Sequence, residues 1–193
     1  MSIFKYLKDK FLKIFGDIKV FKYPFFLVYD PDDYLINGPK IRDIINTVQP
    51  GDLLIRRYQH YLDGWFIPGK YSHTGIYIGD GKVIHSVAEG VTIIDVFDFI
   101  KCDGIAIARP SSGQDDAIKK AKELVSKNTQ YDFDFEDDND TVYCHELAAL
   151  CYNNLRIEKK VPKLFYGIIR LHQKKYLAES FLTSPDFTLI KEY

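Results

Sequence analysis

The chain is poor in sulfur. Its 193 residues include three cysteines and one methionine. Cys102, Cys144 and Cys151 make an odd count with none of the close cysteine pairs that mark disulfide frameworks or structural zinc modules. Cys144 and Cys151 lie two helical turns apart, about 10 Å at 1.5 Å per residue, whereas a disulfide needs Cα atoms within roughly 7 Å. A reducing compartment is therefore expected. An excess of either charge is also lacking: Lys+Arg 26 against Asp+Glu 27 gives a net charge of −1, so no global basic field speaks for nucleic acid. No apolar run is long enough to span a bilayer. The opening MSIFKYLKDKFLKIF carries lysines where a signal peptide needs an unbroken apolar core. A cytoplasmic place is expected, with attachment to a membrane surface or a virion compatible. Repeats and low-complexity linkers are absent.

What is present fits one domain with a substantial core. Hydrophobic residues at 46% and charged residues at 27% exclude a disordered or fibrous chain, and 14 Tyr with 14 Phe anticipate a core and pocket walls rich in rings. The expected division is an N-terminal amphipathic helix and irregular arm over 1–49, then a catalytic domain with a C-terminal extension over 50–193. In the first fifteen residues Ile3, Phe4, Leu7, Phe11, Leu12, Ile14 and Phe15 form an apolar stripe with Lys5, Lys8, Lys10 and Lys13 beside it. Such a helix docks on its own domain, on a membrane surface or on a partner protein. A short strand is expected near Phe25–Tyr29, and a short helix carrying Ile41, Ile44, Ile45 and Val48 ends at Pro50-Gly51.

From Asp52 the period becomes that of a sheet. Strands are predicted over 52–57, 72–78, 82–86, 91–96 and 105–109, and short connections favour antiparallel pairing. The turn Gly79-Asp80-Gly81 marks a hairpin. A helix follows over 111–127, with Ser112 and Asp115 as a capping box. Tyr131–Asp140 is an acidic loop that lacks the mid-loop glycine and closing glutamate of a calcium-binding EF-hand. The segment 164–171 fits helix or strand, and 181–190 contains a Ser-Pro-Asp turn.

The chemistry centres on Thr141-Val142-Tyr143-Cys144-His145-Glu146-Leu147. Leu147, Leu150, Cys151 and Leu155 fall at helical spacing and should face the core. Asp140 or Thr141 would cap the start, leaving Cys144 in the first turn, where the helix dipole favours a thiolate. A cysteine is more often a small core residue than a nucleophile, so a histidine partner has to be found. His73 opens one strand of the hairpin and His85 closes the other, each six residues from Gly79. Pairing would set them adjacent or nearly so, so that one imidazole can orient the other. A thiolate–imidazolium resting pair follows from that reading. An oxyanion formed on attack would meet the Cys144 N–H and a second donor from among Tyr58, Tyr71 and His60. Tyr58, Trp65, Tyr71 and Tyr143 are the candidate substrate-binding residues. Zinc held by His73, His85 and Cys144 is the competing chemistry, but no metal or other cofactor is expected.

Ser72-His73-Thr74-Gly75-Ile76-Tyr77-Ile78-Gly79-Asp80-Gly81-Lys82-Val83-Ile84-His85 resembles the histidine hairpin of the circularly permuted NlpC-type papain-like cysteine enzymes. Pro50-Gly51-Asp52-Leu53-Leu54 is similar to their first-strand entry. Tyr143-Cys144-His145-Glu146-Leu147 resembles the Tyr-Cys-Ser-Glu-Leu motif of their YiiX-like branch, and histidine before cysteine is the permuted order. The likeness runs from about Pro50 to Asn154. It implies an α+β fold, an antiparallel sheet packed against the nucleophile helix, with Cys144 as nucleophile, His73 as general base and His85 as the residue orienting it. His85 departs from the carboxylate frequent in the YiiX-like branch. It is more like the relatives of lecithin:retinol acyltransferase, whose Asn-Cys-Glu-His motif this chain does not share. The implied function is a cysteine peptidase or amidase acting on small peptides, cell-wall peptides or related acyl compounds. Lipid acyl transfer or hydrolysis at a membrane surface is the alternative, and a non-catalytic binding module the second.

Overall fold

In a computed structural model the described residues are 6–8, 10–11, 18–20, 27–29, 34–58, 69–135, 140–164, 169–170 and 173–193, with 18–20, 27–29, 163–164 and 169–170 described by backbone alone. Trp65, His60 and His172 lie outside them. At the N-terminus, 6–8 and 10–11 are helical, as the stripe predicts, and Tyr6, Leu7 and Phe11 are exposed. β1 (Ile18–Val20) and β2 (Leu27–Tyr29) pair antiparallel, and α1 spans Gly38–Thr47. There follow β3 (Leu53–Arg57), β4 (His73–Gly79), β5 (Lys82–Val87), β6 (Gly90–Asp95), the short α2 (Val96–Phe99) and β7 (Gly104–Pro110). Then come α3 (Gln114–Ser126), α4 (Cys144–Cys151), β8 (Lys163–Leu164), β9 (Ile169–Arg170), α5 (Ala178–Leu182) and β10 (Phe187–Glu192).

Six strands form one antiparallel sheet in the order β10-β7-β3-β4-β5-β6. Its central strands read as near-continuous apolar runs because both faces are covered. Alternation along each strand sorts the side chains into two cores. Leu53, Ile55, Ile76, Ile84, Ala106 and Ala108 join α3, α4 and α5 on one face. Leu54, Val83, Ile105 and Ile107 join Ile44 of α1 with Val96 and Phe99 of α2 on the other. Ile36 and Val48, ahead of Pro50, belong to that second core.

The strands and the two turn-bounded helices fall where the pattern predicts, and 164–171 resolves to the β8–β9 pair. The cap of α3 differs. Its N-cap is Gly113, at φ 82°, without a side-chain bond. Ser112 lies one position too early to close a box, and Asp115 and Asp116 favour the helix through its dipole instead. The β4–β5 hairpin turns on Asp80 (φ 50°) and Gly81 (φ 68°), the two positive values a type I′ turn demands.

Asp52 is the one carboxylate sunk at the start of β3, 1% exposed. It takes two hydrogen bonds from Arg109, Nε to Oδ1 and Nη2 to Oδ2, both at 2.8 Å, and one from the Gln49 N–H at 2.8 Å. This fork ties the turn before β3 to the far end of β7, and Tyr152 of the α4 C-terminus donates to Gly51 O beside it. Asp52→Asn removes the charge that a bidentate guanidinium grips. The expected loss is about 2 kcal/mol of unfolding free energy in urea titration, and unchanged stability would contradict the fork's role.

Candidate active site

Helix α4 begins at Cys144 with Tyr143 as its N-cap and no capping side chain. The expected cap from Asp140 or Thr141 does not form, because Thr141 is drawn back into a bridge with Gln130. The backbone N–H groups of Thr74, His145 and Cys144 favour the ionised form of the Cys144 thiol. The sulfur lies 3.9 Å from Ser72 O, next to His73 in sequence.

The helix is buried nearly all round rather than along one stripe. Leu147, Ala148, Ala149 and Cys151 are buried, and Leu150, expected on the core face, is 40% exposed. The reason is the sheet beneath α4 and the flanking α3 and α5, which share one core with it.

His73 Nε2 and His85 Nδ1 are 2.9 Å apart, with the rings edge to face at 81°. They are not direct cross-strand partners. A bulge between Tyr77 and Gly79 shifts the register, so His85 opposes Gly75 and His73 reaches it diagonally. Gly75 makes this possible by having no side chain. A Cβ there would stand 2.6 Å from Val83 Cγ1 and 2.7 Å from Phe99 Cε2. The Phe99 ring fills that space and contacts both imidazoles, its centroid 5.7 Å from His73 and 5.6 Å from His85.

On the opposite face of β4, Thr74 Oγ1 meets His145 Nδ1 at 2.7 Å, joining two residues whose backbone N–H groups favour the ionised thiol. The sequence reading did not find this bond, nor the place of Arg56. Arg56 on β3 is the register partner of His73. Its guanidinium stands 4.4 Å over the Phe99 ring and 5.0 Å over Tyr58, and its Nη1 donates to Phe99 O at 2.7 Å.

The other sequence candidates are placed as follows. Tyr58 is half-buried beside Arg56, on the side of the histidine pair. Tyr71 is buried, and burial with Glu192 raises its hydroxyl far above the ordinary tyrosine range. Tyr143 is a packing residue: its ring lies 5.2 Å from Phe135 and its hydroxyl accepts from Tyr176 N at 2.9 Å. Among the described residues no group of three or more His, Cys, Asp or Glu is placed to hold a metal ion, and the facing nitrogens of His73 and His85 are taken up by each other.

The electrostatics overturn the expected resting ion pair. Burial pushes the Cys144 thiol up to about 11, against the three N–H groups and the Arg56 charge that pull it down. Burial, then Arg56, holds His73 well below its ordinary value and His85 at about 3. A raised thiol and a lowered imidazole both favour the neutral pair. The alkylation rate of Cys144 by iodoacetamide, followed by peptide mass, is therefore expected to climb about tenfold per pH unit between 7 and 9. A plateau beginning below pH 7 would reveal a preformed thiolate and contradict the neutral pair.

The model of a permuted papain-like amidase enzyme family, YaeF/YiiX, C92, matches residues 47–191. A crystal structure described as the metalloprotein YiiX of Escherichia coli O157:H7 superposes with a TM-score of 0.59 at 20% identity, covering 76% of this chain and 98% of that one. No curated protein matches the chain. The matched span includes the whole six-stranded sheet apart from the last residue of β10, together with α4. With the cysteine at the start of that helix and the histidine hairpin ahead of it in sequence, the chain belongs to the permuted papain-like amidase family and is a cysteine hydrolase.

Proposed function

We propose that Cys144, His73 and His85 work as a nucleophile, a general base and its orienting partner in the hydrolysis of amide bonds of small peptides, cell-wall peptides or related acyl compounds. One observation supports this reading: the Cys144 sulfur lies 3.9 Å from the carbonyl oxygen of Ser72, the residue before His73, and the His73 ring is hydrogen-bonded to His85 at 2.9 Å.

Starting from a neutral pair, the proton moves as the bond forms. The sulfur attacks the acyl carbon, its proton passes to His73, and the new S–C bond creates an oxyanion. His73 uses its Nδ1 for this, because Nε2 must keep a proton to donate to His85 Nδ1; His85 is then the Nε2–H tautomer. The Cys144 N–H at the start of α4 is the first donor for the oxyanion. His73 next hands its proton to the amide nitrogen, the C–N bond breaks and the amine leaves. Water, deprotonated by His73, attacks the thioester, and the acid departs as sulfur recovers its proton.

Phe99 and Gly75 give the pair its rigidity, since a one-ångström error at this point costs orders of magnitude in rate. Burial, and after it the Arg56 charge, favours the uncharged form of the pair.

Incubation with p-nitrophenyl acetate tests the assignment by intact and peptide mass. The wild type is expected to acquire one acetyl group on Cys144 and Cys144→Ala none. His73→Ala should slow acylation by about a hundredfold to ten-thousandfold, and His85→Ala by less. Acetylation at Cys102 or Cys151 instead, or an undiminished rate in His73→Ala, would remove the reading.

A further inference from the structure

Arg56 is a cation taken almost wholly out of water, 8% exposed, in the wall of the proposed site. Buried charges are normally met by an opposite charge, because desolvating an ion costs more than isolated dipoles return. The buried Asp52 obeys this, gripped by Arg109 at 2.8 Å. Arg56 does not. Among the described residues no carboxylate pairs with it, and its Nε has no hydrogen-bond partner. Its compensation comes from the Phe99 carbonyl and from the Phe99 and Tyr58 rings.

Its position is also particular. Arg56 is the register partner of His73, so strand alternation sets Arg56, His73 and His85 on one face of the sheet. Tyr58, two residues further along β3, continues the same face. The charged and titratable groups that feel Arg56 are His73 of β4, His85 of β5, Cys144 of α4 and Cys102 before β7; its charge lowers each of them. An anion beside the guanidinium would lift that effect from His73 and let the ring accept a proton more readily as the thiol attacks.

We propose that Arg56 is the specificity residue of this site and binds a negatively charged group, carboxylate or phosphate, that the substrate carries close to its scissile amide. The inference rests on the reading of Cys144 as nucleophile. The substrate's anionic group supplies the counter-charge that the guanidinium otherwise lacks. Carboxylate and phosphate share the planar, charge-assisted recognition that arginine offers, and matched substrates separate them.

The test uses two pairs of amides that differ in one charge: N-octanoylglycine against N-octanoylglycinamide, and N-octanoylphosphoethanolamine against N-octanoylethanolamine. In the wild type the charged member of at least one pair should exceed its neutral twin in kcat/KM by about tenfold or more. In Arg56→Met the ratio should fall to near one, and in Arg56→Lys it should be intermediate. The favoured pair identifies the anion. Equal rates within both pairs of the wild type, or a preference that persists in Arg56→Met, would overturn the proposal without any appeal to variant folding. If no amide is cleaved and p-nitrophenyl acetate leaves Cys144 unacylated, the hydrolytic reading has failed instead. The Arg56 claim is then decided by alkylation: a ratio of iodoacetate to iodoacetamide labelling at Cys144 that drops in Arg56→Met supports it, and an unchanged ratio overturns it.

Discussion

The hydrogen bond between His73 and His85 is the constraint on which the site depends, and it is a product of register. The Asp80-Gly81 turn fixes where the hairpin folds, and the bulge beyond Tyr77 moves the partners by one. His85 then faces a glycine, and the two imidazoles meet across it at 2.9 Å. A slip of one residue would send one ring through the sheet to the opposite face. Phe99 occupies the space left by Gly75 and supports both rings, and Arg56 fastens Phe99 through its carbonyl and its ring. The Asp52–Arg109 fork holds the start of β3 on which Arg56 is carried.

Two effects compete for the ionisation of this centre. The start of α4 favours a thiolate, but a helix terminus contributes about 0.3–1 kcal/mol, less than one pKa unit. Burial raises the thiol from its ordinary 9.0 to about 11, roughly 3 kcal/mol in the other direction. Desolvation wins. The same burial favours the neutral imidazoles, and the Arg56 charge adds to it. In the proposed triad the thiol and the imidazoles are accordingly favoured in their neutral forms over a ready ion pair.

The frame of the site was legible from sequence because its signals are local. An Asp-Gly turn between β-branched runs, a Pro-Gly entry and a cysteine opening a helical pattern each announce themselves over a few residues. What escaped depended on contacts between distant elements. Side-by-side histidines follow from counting residues about a turn, and the bulge makes the true contact diagonal. Leu150 sits at core spacing, yet α4 is covered on the faces that its neighbours Ala148 and Ala149 present. Arg56 reads as an ordinary strand residue until β4 and Phe99 close around it. Thr74 and His145, seventy-one residues apart, meet only when α4 is laid on β4. Phe135 packs against Tyr143, and no periodicity in the acidic loop points to that contact.

The neutral, hydrogen-bonded histidine pair is tested most directly by long-range proton–nitrogen spectra of the nitrogen-15-labelled protein, with His73→Ala and His85→Ala used for assignment. At pH 7 both rings should be neutral, His85 carrying its proton on Nε2 and His73 carrying its own on Nε2, and both should stay so as the pH is lowered to about 5. A doubly protonated His73 at pH 7, or two rings titrating independently near the ordinary histidine value, would contradict it.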